Sequence, residues 1–139
     1  MTSLVAAVAF VWLGLVLGLS FIEAPLKFRA PGVTVRIGLG IGRLVFAALN
    51  RVECALALVV VGALVLGPRP SSVGWPATVA LLVLIAQLVF VRPALHRRSN
   101  LVLAGEDGPR SRAHLLYNAL EVAKAIALVV LGVQALGAR

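Results

Sequence analysis

Leu4 to Ile22 is a run of nineteen residues without a single charge. As an α-helix it measures about 28 Å, close to the ~30 Å hydrocarbon core of a bilayer. No basic residue precedes it, and it exceeds the 7–15-residue apolar region usual in a secretory signal, so it reads as a retained membrane span. Trp75 to Val91 is a second such run, broken only by the polar Gln87 and closed by Arg92, Pro93 and the pair Arg97 and Arg98. A chain with these two segments must satisfy its backbone within lipid, which admits helices or a closed barrel, and runs of this length are helical.

Two further apolar segments, Cys54 to Gly67 and Ala125 to Ala138, hold only fourteen uncharged residues each. Neither crosses a bilayer alone, because fourteen residues give about 21 Å of helix. Each must recruit the turns before it, and those carry Asn50, Arg51 and Glu53 in one case and Asn118, Glu121 and Lys124 in the other. Ionisable groups are thereby drawn into the membrane. The expected architecture is an all-α polytopic membrane protein forming one domain over 1–139, with four transmembrane helices near 4–24, 43–67, 75–96 and 112–137.

Composition closes the soluble alternatives. The chain is 61% hydrophobic and 13% charged, against about 45–50% and about 25% in an ordinary soluble domain. Its thirteen basic and five acidic residues give a net charge of +8, which on a soluble protein would point to nucleic acid. In a membrane chain the same excess reports topology, and no nucleic-acid partner is expected. Lys27, Arg29 and Arg36 fall in the first connection and Arg97, Arg98, Arg110 and Arg112 in the third, whereas the other side shows only Arg69 and Arg139. The positive-inside rule then predicts a bacterial inner (plasma) membrane protein with both termini extracytoplasmic. The single Cys54 excludes an intrachain disulfide and a cysteine-based metal cluster.

The two halves resemble each other. Phe21 to Arg29 aligns with Phe90 to Arg98 at an offset of 69, and Asn50-x-x-Glu53 with Asn118-x-x-Glu121 at an offset of 68. Both hairpins run in the same sense, so such a repeat (1–67 and 75–139) predicts two tandem hairpins related by a pseudo-two-fold along the membrane normal.

On helix two Arg43, Phe46, Asn50 and Glu53 are spaced three, four and three apart, and on helix four His114, Tyr117, Asn118, Glu121 and Lys124 form a similar stripe. With Glu23, Lys27, Arg92 and His96 at the cytoplasmic ends of helices one and three, the polar groups are expected to converge in the inner half as a cup plugged by apolar packing outside. Arg51 lies about 100° from Asn50 and points elsewhere, toward a neighbouring helix or a second chain. Intramembrane charges normally face a bundle interior and are paired, so the candidate ligand-binding residues are Glu53, Glu121, Asn50, Asn118, His114, Arg43, Lys124, Glu23, Arg92 and Gln87. Two glutamates brought together could also share a proton.

Charge counting weighs against a divalent metal at this cup. Three acids face Lys27, Arg43, Arg51, Arg92 and Lys124, a balance of +2 before any cation arrives. An anionic headgroup or a small polar or anionic solute suits it better. Haem is disfavoured because the only two histidines, His96 and His114, sit at the rim rather than deep in the bundle. There is no nucleophile beside a base, no Walker loop and no dinucleotide fingerprint. The sequence therefore predicts no enzyme, no catalytic residue and no cofactor. Pro25 is expected to end or kink helix one, and the glycine-rich stretch Pro31 to Gly42 to form a membrane-surface connector or a flexible lid. Gly14-x-x-x-Gly18 offers a close-packing helix face, within the chain or toward another.

Trp12-Leu-Gly14, Ala24-Pro25-Leu-Lys-Phe28, Gly42-Arg43-Leu-Val-Phe46 and Glu53 resemble a family of uncharacterised four-helix bacterial membrane proteins. That family is related to a human transmembrane protein associated with platinum-drug resistance and is distantly similar to the copper-resistance D membrane domain. The resemblance covers mainly helices one and two. It implies a four-helix bundle and a link to metal or drug tolerance, without supplying a substrate or catalytic residues. Met1 is the only methionine, which departs from the Met- and His-rich pattern of a copper conduit.

Two functions follow. One is a transporter-like protein whose cup holds a small polar or anionic solute, with a homodimer enlarging a narrow lumen. The other is an accessory or assembly subunit of a larger membrane complex, in which buried ion pairs serve structure and Arg51 and the Gly14 face meet partner helices. Closed Glu–Arg or Glu–Lys pairs favour the second, and an open cavity between Glu53 and Glu121 favours the first.

Overall fold

In the computed structural model of the protein the described residues are 2–68, 70–103 and 112–138, without the side chains of 98, 99, 102, 103 and 112–114. Arg69, Arg110 and Arg139, counted above for topology, lie outside them, as do the side chains of Arg98, Arg112 and His114. The described chain is all-α, and four helices are long and apolar enough to cross a membrane. Helix α1 covers Thr2–Arg29, α2 Val35–Leu66, α3 Ser71–Leu103 and α4 Arg112–Gly137. Thr2, Leu66, Ser71 and Gly137 define an apolar end of the bundle, and Lys27, Arg29, Arg36 and Arg97 a basic end.

Three elements extend further than their patterns suggest, each for a local reason. Helix α1 passes through Pro25 because Val16–Glu23 is wound as a π-helix, with the Ala24 amide donating to the Leu19 carbonyl. Pro25 then falls in the first turn of the resumed α segment, where its missing N–H is no loss. Helix α3 repeats the device: Gln87–Val91 is π-helical, the Arg92 amide donates to the Gln87 carbonyl, and Pro93 follows. The π segments end at Glu23 and Val91 and the prolines are Pro25 and Pro93, both pairs 68 residues apart. That spacing equals the offset of Asn50-x-x-Glu53 from Asn118-x-x-Glu121.

The glycine-rich stretch is neither lid nor connector beyond Thr34. Its hydroxyl accepts the Ile37 amide at 3.2 Å and caps α2, which begins at Val35. Gly38 and Gly42 share one face of that first stretch of helix. A Cβ at Gly38 would lie within the Phe28 ring, and one at Gly42 would lie 2.8 Å from Lys27 Nζ. The glycines thus let the end of α1 pack directly on the start of α2. The turn itself needs Gly32, at φ +81°.

The apolar core lies toward the apolar end and follows helical spacing: Val5, Ala9, Trp12 and Val16 on α1, Val73, Ala77, Ala80 and Leu84 on α3, and Leu128, Leu131 and Ala135 on α4. Alanines at the contact faces bring backbones close, as bilayer packing favours. Helix α4 packs along both α1 and α3, whereas α2 leans mainly on α1. Between α2 and α3 runs an open apolar groove lined by Cys54, Leu58, Leu81 and Ile85 among others. Gly14 and Gly18 have open space where a Cβ would stand, so they bring no helix of this chain close. Gly132 does so instead, receiving the Phe10 ring from α1.

Candidate functional site

Helical spacing carries at least one polar side chain from each helix to a common level at the centre of the bundle. Trp12 comes from α1, Glu53 from α2, Gln87 from the π segment of α3, and Glu121 with Lys124 from one face of α4. All five are buried, and Trp12, Glu53, Glu121 and Lys124 have no accessible surface within rounding.

Lys124 is the hub. Its Nζ donates to Glu53 Oε2 at 2.5 Å, lies 2.6 Å from Glu121 Oε1 and donates to Gln87 Oε1 at 2.8 Å. Two of the ammonium's three donors thus go to Glu53 and Gln87, and the Glu121 carboxylate pairs with its charge. Gln87 Nε2 donates back to Glu121 Oε1 at 2.8 Å, and the Trp12 indole N–H donates to Glu53 Oε2 at 2.7 Å. The result is a closed network linking all four helices. One oxygen of each carboxylate, Glu53 Oε1 and Glu121 Oε2, remains without a hydrogen-bond partner. Two acids and one base sum to −1 when both carboxyl groups are ionised.

A second layer lies toward the basic end and centres on Phe46 of α2. Lys27 Nζ sits 5.7 Å and the Arg92 guanidinium 5.8 Å from the centre of its ring, and Tyr117 meets it edge-on at 5.7 Å. Both cations are within cation–π reach. Glu23 Oε2 is 3.8 Å from Lys27 Nζ, a long ion pair outside hydrogen-bond distance. The Tyr117 hydroxyl and Ser20 Oγ are buried beside each other without a well-formed hydrogen bond. At the rim, Arg43 approaches both nitrogens of the His96 ring, the nearer at 3.0 Å, and ties α2 to α3.

Of the ten residues singled out from the sequence, the structure brings Glu53, Gln87, Glu121 and Lys124 into one contact network. Glu23 and Arg92 belong to the layer below, and Arg43 to the rim. Asn50 is half-buried and Asn118 is exposed, so the matched asparagines do not enclose a common space. The His114 side chain lies outside the described residues. The described residues contain no group of three or more His, Cys, Asp and Glu side chains placed to hold a metal ion.

Trp12 is the member of the network that sequence reasoning missed. It stands in an uncharged run, and its spacing of seven from Val5 and four from Val16 marks it only as core. An indole in a membrane span well away from the headgroup belts, where tryptophan normally collects, was the signal available.

No protein-family model, no curated protein and no solved structure matches the chain.

Proposed function

We propose that this chain is a non-enzymatic accessory or assembly subunit of a larger membrane complex, a four-helix scaffold whose buried charges hold its own helices together. The observation that carries this reading is the enclosure of Lys124 by Glu53, Glu121 and Gln87, through two hydrogen bonds and two ion pairs, with Trp12 closing the network from α1. A solute would have to break contacts of 2.5–2.8 Å to enter. The bias of Lys27, Arg29, Arg36 and Arg97 toward one end supports an orientation with that end in the cytoplasm and both termini outside a bacterial plasma membrane.

The test is thermal unfolding of the purified protein in detergent across a panel of small anions, divalent cations and polar solutes. The expected result is that no solute shifts the transition, while Lys124→Met lowers it strongly. A solute that raises it by several degrees in the natural sequence and not in Glu121→Gln would overturn the reading.

One observation favours a solute-binding alternative. Tyr117 and Ser20, buried beside each other without a well-formed hydrogen bond, and one carboxylate oxygen each of Glu53 and Glu121 leave polar atoms unsatisfied inside the bundle. A small polar or anionic solute entering from the basic end would satisfy them in a transporter-like protein. The same panel decides, with Tyr117→Phe as the variant that should abolish a shift.

A further inference from the structure

Arg51 stands midway along the 32-residue helix α2. It is two residues from Glu53, about 200° around the helix, so it faces directly away from the bundle, and it is exposed. Among the described residues it makes no ion pair. Its neighbours one heptad away, Leu44 and Leu58, are 76% and 72% exposed, with Leu58 at the edge where this face meets the groove between α2 and α3. A guanidinium at the outer surface of a membrane span runs against the rule that intramembrane charges face an interior and are paired.

The geometry points to a docking surface on this face of α2 for a transmembrane helix of another protein that carries a carboxylate at the depth of Arg51. This rests on the accessory-subunit reading and specifies the partner's chemistry. Arg51 decides between candidate occupants. A second copy docking face to face about an axis along the membrane normal would set Arg51 against Arg51. A second copy presenting another face would need an exposed intramembrane acid. Glu53 and Glu121 are fully buried on Lys124, and Glu23 lies beside Lys27 at the basic end. The other two acids, Glu106 and Asp107, fall between α3 and α4 in the sequence, outside the described residues; among the described residues no acid is free for Arg51, and a carboxylate on a different chain would supply its partner.

The rest of the face suits a helix. Leu44, Ala48, Arg51, Ala55, Leu58, Gly62 and Val65 alternate by four and three residues, the seam of a left-handed helix pair. Ala48, Ala55 and Gly62 recur at intervals of seven between the larger residues, and a Cβ at Gly62 would meet nothing. Small residues at this spacing admit a partner backbone in lipid.

The experiment uses the full chain, acceptor-labelled, in phosphatidylcholine bilayers with a donor-labelled synthetic Leu/Ala transmembrane helix bearing one Glu at the depth of Arg51, or Leu in its place. Energy transfer should report about tenfold tighter association of the Glu helix than of the Leu helix. Arg51→Leu should erase the preference with an unchanged melting temperature, since Arg51 touches nothing in the central network. Equal binding of the two helices, or a preference that survives Arg51→Leu, overturns the proposal. So does a disulfide between copies through Ala55→Cys in a Cys54→Ala background, which would identify a second copy as the occupant. Loss of affinity only for vesicles containing anionic phosphatidylglycerol would likewise overturn it, by showing Arg51 reaching a headgroup. A solute-induced shift dependent on Glu121 would refute the accessory reading and leave the helix-binding result standing.

Discussion

Replacing Lys124 by Met removes the ammonium and leaves the aliphatic volume. Glu53 loses the shorter of its two hydrogen bonds, keeping the Trp12 donor at 2.7 Å, and Glu121 keeps Gln87 at 2.8 Å. Two carboxylates are then buried at the centre of a bundle with no cation. Removing one partner of a buried ion pair destabilises by about 3–5 kcal/mol, because the partner's desolvation is no longer offset. For a chain of this size that corresponds to a fall of roughly 10–20 °C in melting temperature. The assay is loss of the monodisperse peak after heating in mild detergent, with helicity followed by circular dichroism. The control is the triple variant Lys124→Met, Glu53→Gln, Glu121→Gln. Removing the carboxylate charges as well should recover more than half of the loss, since neutral replacements of buried ionic groups are often well tolerated. A single variant within about 1 kcal/mol of the natural sequence, or a triple variant no better than the single, would refute the view that the network locks the helices.

Trp12→Phe keeps the ring in the core and deletes the donor to Glu53, so it should cost about 1.5–3 kcal/mol, read from the same melting curves. Iodide should quench the half-exposed Trp75 and spare Trp12; equal quenching of a Trp75→Phe variant would contradict the burial of the indole. Gly14→Ala should be neutral or stabilising by up to about 1 kcal/mol, because an added methyl meets nothing and alanine is the better helix former. Gly38→Ala should destabilise by about 1–3 kcal/mol as its Cβ drives into the Phe28 ring, and Phe28→Ala should relieve it. A neutral Gly38→Ala would show that α1 does not pack there.

The four helices were legible because charge is so scarce that each uncharged run has one use. The two fourteen-residue runs already forced Glu53, Glu121 and Lys124 into the membrane, and three residues of α4 place Glu121 and Lys124 on one face. Two features were not legible. Asn50 and Asn118 share spacing and motif with the glutamates, yet each lies about 60° around its helix from them, enough to turn Asn118 to the outside. The reach of Lys124 across to α2 depends on how the helices pack, and close approaches such as Phe10 on Gly132 have no signature of their own in the sequence. Pro25 and Pro93 read as helix breakers because sequence spacing cannot show a π turn absorbing them.

The network also sets an order of assembly. Lys124 follows Glu53 by 71 residues, so during synthesis the first hairpin is complete before its counter-ion has been made. Until then the indole of Trp12 is the one donor within that hairpin that the finished network assigns to Glu53. An acidic side chain at mid-membrane carries an insertion penalty of about 2.5–3.5 kcal/mol, and the first hairpin bears it until helix four arrives. Truncation after Gly67 should accordingly yield a hairpin that is poorly retained in the membrane, while supplying the second half as a separate polypeptide should restore it.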